Sequence, residues 1–193
     1  QSRSSAASDV YKRQARGQGE PASGKLNLPA GATLTGMIMG EDDKEVFVGT
    51  SAGYGFRTTI TDLHTKNKAG KSVVKISPHA QVVQPKLIYD DNSLIVAVSN
   101  EGRMLVFDIS NVPKLAKGKG NKIINIPSAR LKRGEEWVVD YAIVGQGTSL
   151  LVYSGKRYLS LKYGDLEHYI GERGRRGHKL PRGFQRVDYL KSE

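Results

Sequence analysis

Gly102-Arg-Met-Leu-Val-Phe-Asp-Ile-Ser-Asn-Val112, followed after Pro113 by Lys114-Leu-Ala-Lys-Gly-Lys-Gly-Asn-Lys-Ile-Ile-Asn-Ile-Pro127, is the stretch on which the fold turns. Its first half is an apolar, β-branched strand opened by a glycine and closed by Asn111 and Val112. Its second half is a basic loop, in which Gly118 and Gly120 permit positive φ and close approach to a partner. Residues 114–133 hold Lys114, Lys117, Lys119, Lys122, Arg130, Lys132 and Arg133 and no acid. A basic, glycine-punctuated loop held on a strand suits a phosphate backbone.

The same unit recurs on either side. Gly53-Tyr-Gly-Phe-Arg-Thr-Thr-Ile-Thr-Asp-Leu63 and, with one insertion, Gly155-Lys-Arg-Tyr-Leu-Ser-Leu-Lys-Tyr-Gly-Asp-Leu166 align with it. The leading glycines, 53, 102 and 155, are 49 and 53 residues apart. Basic, Gly-containing loops follow each copy, at residues 65–71, 116–122 and 172–177, and residues 15–19 carry a fainter one. Strand-sized pieces lie at 24–28, 34–39, 45–49 and 55–60, then at 72–76, 81–89, 94–98 and 103–109. A third group lies at 122–126, 136–144, 149–153 and 157–163. Apolar periodicity of the helical kind is short, and residues 165–169 read as one helical turn. Four strands at a period near 50 predict an all-β, propeller-like chain of four-stranded blades with about three repeats. The repeats run approximately over 15–63, 64–112 and 113–166, with a closing tail at 167–193. The competing architecture is a single irregular β-sandwich.

Composition narrows the partners. The 193 residues carry a formal charge of +11, which favours a polyanion, nucleic acid before membrane. There is no cysteine, so disulfides and thiolate metal sites are excluded, and a reducing cytosol fits. No apolar run approaches the ~20 residues of a membrane span. Residues 1–14 are small and polar, and 9–14 resemble the translated end of a sequencing-library adaptor. They are expected to be a non-native or disordered leader, with the domain spanning 15–193.

Most other motifs read as structure. Residues 68–72, Lys-Ala-Gly-Lys-Ser, lack the glycine at position 65 and the following helix of a P-loop. His64, His79, His168 and His178 are scattered without metal-ligand spacing. Acidic residues at 41–43 and 90–91 suit hairpin turns. Trp137, in an apolar strand, is expected in the core. The candidate DNA-binding residues are Lys66, Lys68, Lys71, Lys114, Lys117, Lys119, Lys122, Arg130, Lys132, Arg133, Arg173, Arg175, Arg176 and Lys179. On the residues alone, two further readings stay open: a propeller whose basic stripe meets an acidic protein, and a β-rich enzyme with a hidden site.

Residues 15–21, 52–56, 118–127 and 171–177 together resemble the C-terminal domain of the A subunit of bacterial DNA topoisomerase IV, a relative of the gyrase A C-terminal domain. The resemblance implies a β-pinwheel with a basic rim that binds and bends double-stranded DNA. It implies a cytoplasmic, chromosome-associated type II topoisomerase that decatenates chromosomes and relaxes supercoils. That enzyme would contain the B subunit and a second A subunit, with ATP and Mg2+ used elsewhere and no cofactor in this chain. The family's nucleophilic tyrosine motif has no match here, so no catalytic residue is assigned. The gyrase-type wrapping box is matched only in part by 116–122.

Overall fold

The pairing of short hairpins with strands from distant repeats shapes this molecule. The computed structural model describes Pro21, Gly24, Leu26 and residues 28–193. The expected leader at 1–14, the faint basic copy at 15–19 and part of the 24–28 strand lie outside the described residues. Two units are distinguished, 1–34 and 35–193. In the first, Ala32 N–H donates to the Pro29 carbonyl at 3.0 Å, closing a turn. The described strands lie in the second.

Three hairpins are central: β1 (Glu45–Gly49) with β2 (Tyr54–Thr59), β4 (Leu94–Ser99) with β5 (Arg103–Asp108), and β8 (Ser149–Ser154) with β9 (Arg157–Lys162). Gly53 (φ 82°) and Gly102 (φ 68°) take the left-handed turn positions, as the glycine register anticipates. Each hairpin runs straight into a short helical turn: α1 (Ile60–Leu63), a 3-10 turn at Ile109–Asn111, and another at Tyr163–Tyr169. Side-chain oxygens of Thr59, Asp108 and Asp165 accept backbone N–H groups there. The recurring Asp/Asn-plus-apolar ending is therefore a capped turn rather than the end of a strand.

The flanking strands come from later repeats. The first sheet is β3 (Lys86–Ile88), β1, β2, β6 (Asn121–Lys122). The second is β10 (His178–Lys179), β5, β4, β7 (Val138–Val144), and the third is β11 (Tyr189–Ser192), β8, β9. All named pairs are antiparallel. Each sheet thus fills one position of a propeller-like β-pinwheel, the third with three strands among the described residues.

The second sheet is buried on both faces, which explains the unbroken apolar run at 94–98. Ile95, Ala97, Leu105 and Phe107 pack with Phe47, Ile123, Ile124 and Tyr141 toward the first sheet. Val96, Val98, Met104 and Val106 pack with Leu150, Val152, Leu161 and Leu190 toward the third. Burial pushes the Tyr141 hydroxyl pKa up, and that hydroxyl donates to the Thr50 carbonyl at 2.8 Å.

Several expected strands are shorter or missing. Residues 35–39 form no ladder, although Ile38 packs on the Val46, Val48 and Phe56 cluster. Of 72–76 only a single bridge, Val74 to Gly118, is present, and of 81–89 only Lys86–Ile88 is a strand. Of 122–126 only Lys122 is in a ladder. Ile123 and Ile124 both donate to the Gly53 carbonyl, so the chain bends while both side chains stay buried. Trp137 is 40% exposed, against the expectation of a core position. It precedes β7 beside a register shift at Val98/Ser99, and such a shift moves a side chain to the other face.

Candidate nucleic-acid interface

The central basic loop is fixed by its backbone. Lys114 begins beside β2, where Arg57 N–H donates to Pro113 O and Leu115 N–H to Arg57 O, both at 2.8 Å. Gly118 N–H then donates to Val73 O at 2.8 Å, and Lys75 N–H to Gly118 O at 2.9 Å. At Gly120 (φ 73°) a Cβ would sit 2.1 Å from the Gly55 carbonyl oxygen, so only glycine lets the loop reach β2. The ladder that follows sets Lys122 opposite Tyr54. Lys119 Nζ lies 4.0 Å from the Tyr54 ring centroid and Lys122 Nζ 5.8 Å, so one aromatic ring attracts two ammonium groups by cation–π interaction. Lys119, Lys122 and Lys132 with Tyr54, His79 and Asn125 line a cleft of about 870 Å³.

The third basic loop locks onto the central one. Gly174 N–H donates to Ile123 O at 2.8 Å and Asn125 N–H to Arg175 O at 2.9 Å. Arg173 Nη1 donates to Lys122 O at 3.2 Å. Gly177 (φ 75°) repeats the role of Gly120: a Cβ there would lie 2.6 Å from Met104 O, and β10 then joins β5. Hydrogen bonds therefore join residues 73–75, 118–125 and 173–175 into one continuous band, although these segments are far apart in sequence.

Of the predicted residues, Lys119, Lys122, Arg173 and Arg175 lie in this band and the others lie outside its hydrogen-bonded segments; their partners divide them further. Lys66, Lys68, Lys117, Lys132 and Lys179 are exposed and have no carboxylate partner among the described residues, and Lys119, Lys122 and Arg173 likewise lack one. Lys71 Nζ donates to Asp62 O at 2.6 Å. Lys114 pairs with Glu45 at 2.6 Å, beside the Arg57–Glu45 pair at 3.0 Å. Arg175 pairs with Glu172 at 2.8 Å. Arg133 meets Glu135 at 2.5 Å. Glu135 holds the Arg133 pKa up through that hydrogen bond, and Arg133 in turn draws the Glu135 carboxyl down. Arg130 reaches Glu101, Glu135 and Glu136, and Arg176 grips Glu136.

Lys75 and Asn125 in the band, and Tyr54 and His79 on the cleft beside it, escape the sequence reading, because pairings between distant segments place them there. Residues 68–72 lead into extended chain rather than a helix. Among the described residues no group of three or more His, Asp or Glu side chains is arranged to hold a metal ion. No described helix is long and apolar enough to cross a membrane.

Comparisons with known proteins converge on one group. The family profile described as "DNA gyrase C-terminal domain, beta-propeller" matches residues 44–88 and 93–143. The A subunit of DNA topoisomerase 4 from Pseudomonas aeruginosa is 50% identical over 177 residues, covering 91% of this chain and 24% of that protein. Its counterpart from Escherichia coli K12 is 45% identical over 186 residues, covering 96% of this chain and 25% of that protein. The chain thus spans about a quarter of the length of these curated relatives. The solved structure of the E. coli ParC C-terminal domain superposes with a TM-score of 0.81 at 45% identity, covering 92% of this chain and 72% of that one.

Proposed function

Because this chain belongs to the family of C-terminal domains of topoisomerase IV A subunits, we propose that its basic band binds and bends double-stranded DNA for a type II topoisomerase. The observation that carries this reading is the hydrogen-bonded continuity of residues 73–75, 118–125 and 173–175. A band of that kind can follow one phosphate backbone. Lysines without carboxylate partners neutralise phosphates, and Gly118, whose missing side chain faces open space, admits the backbone closely. Lys66, Lys68, Lys117, Lys119, Lys122, Lys132, Arg173 and Lys179 are the direct contacts. Bending of the duplex would let more of its phosphates reach these lysines. In the whole enzyme this module works beside a cleavage domain, a second A subunit and the B subunit in the bacterial cytoplasm. ATP and Mg2+ act in those other parts, and the outcome is decatenation and relaxation of supercoils.

The test is a salt titration of duplex binding by the chain and by its Lys117→Ala/Lys119→Ala/Lys122→Ala variant. Phosphate contact predicts a log–log slope of about −0.9 per phosphate neutralised, flattened by roughly two to three units in the variant. Duplexes of different sequence should weaken alike, and the thermal melt should stay near wild type, since exposed lysines add little stability. An unchanged slope would remove the central loop from the DNA surface and favour an acidic protein as its partner.

A further inference from the structure

Glu136 is fully buried, yet it carries a charge that DNA binding does not call for. Arg176 grips it with two nitrogens, Nη1 to Oε1 and Nη2 to Oε2, each at 2.6 Å. Arg130 Nη1 reaches the same carboxylate at 3.0 Å. A buried carboxylate without partners would be strongly destabilising, and the bidentate fork of arginine offsets that where a lysine could not. Arg176 Nη1 also donates to Asn125 O at 3.0 Å. Three of the five N–H donors of Arg176, two on Nη1 and one on Nη2, are thus committed inside the protein, so its main engagement is with Glu136 and Asn125 rather than with a phosphate.

Resting on the DNA-binding reading above, we infer that Glu136 is a positioning residue of the interface. By holding Arg176 it keeps residues 172–177 against 122–125, and so keeps Arg173 on Lys122 O. Arg176 and Arg130 transmit this hold and do not themselves neutralise phosphate.

The two roles predict opposite signs for one substitution. Glu136→Gln raises the formal charge of the chain by one. If Arg130 and Arg176 were phosphate ligands, the freed arginines would tighten duplex binding. On the positioning role the affinity of the full chain falls about tenfold, and the salt slope flattens by about 0.9, one phosphate, as Arg173 drifts. Arg176→Lys keeps the charge but loses the fork, and should show the same loss; it also serves if Glu136→Gln does not fold. Amide hydrogen exchange gives a readout without DNA. The Gly174 and Asn125 amides, which bridge the two segments, should exchange about tenfold faster in both variants. Unchanged exchange, or equal or tighter duplex binding by either folded variant, would overturn the role. Faster exchange together with no salt-dependent duplex binding by the wild type would sustain the positioning of the loop and sink the DNA reading instead.

Discussion

Residues 114–122 and 172–177 look alike in sequence, both basic and both glycine-rich, and they do different things. The first carries its charge on lysines, two of them beside the Tyr54 ring, and among the described residues its one acid contact is at its start, Lys114 to Glu45. The second carries its charge on arginines, two of which are bound to acids, Arg175 to Glu172 and Arg176 to Glu136. The difference follows from the side chains. A planar guanidinium fork satisfies a carboxylate with two parallel bonds and suits burial, while a compact ammonium prefers to stay hydrated. Counting positive charges in a loop therefore overstates what the loop can offer a polyanion.

The comparison can be broken at the backbone first. Gly120→Ala places a Cβ against Gly55 O at a left-handed φ, and should destabilise the chain by roughly 2–3 kcal/mol in a denaturant titration. Gly118→Ala also has positive φ but meets open space, and should cost about 1 kcal/mol. Equal losses at the two positions would mean that the central loop is not anchored through Gly120.

Single charges sharpen it next. Lys117→Ala should flatten the salt slope of duplex binding by about 0.9, whereas Arg175→Ala should flatten it by less than about half of that, because Glu172 already occupies the guanidinium. Matching slopes would erase the distinction between lysine and arginine loops.

The smallest effect is in pH. Arg133 holds the Glu135 carboxyl below its ordinary value, so the pair stabilises the fold above the ordinary carboxylate pKa and loses that contribution as pH falls through the lowered one. Thermal melts of wild type and Glu135→Gln should differ slightly at neutral pH and converge as the pH falls below the ordinary carboxylate range. A gap that widened on acidification would contradict that sign.

Much of the fold is written locally. The strands of the three hairpins and the glycines that turn them, Gly53, Gly102 and Gly155, depend on neighbours within a few residues, and they stand where alternation and turn chemistry put them. What depends on distant partners is hidden. His178–Lys179 is a two-residue ladder with no periodicity of its own, and it exists because Gly177 can approach Met104. Trp137 leaves the core beside a bulge in β7, where Val139 is the extra residue between Asp140 and Val138. Arg176 looks like a phosphate ligand until Glu136, forty positions earlier, is seen beneath it. The identity of the basic segments was legible, and the division of labour among their side chains was not.

The borrowing of edge strands from later repeats has a consequence for synthesis. The outer edge of β2, complete at Thr59, stays open until Asn121 and Lys122 leave the ribosome, and that of β5, complete at Asp108, waits for His178 and Lys179. These gaps of roughly 60–70 residues correspond to about 3–14 seconds at ~5–20 residues per second. During that time each hairpin is a nascent half-sheet with an unpaired ladder, and the segment that finally covers it is a lysine-bearing one. Blades therefore mature one repeat behind the emerging chain, each finished by the polar segment that follows the next hairpin.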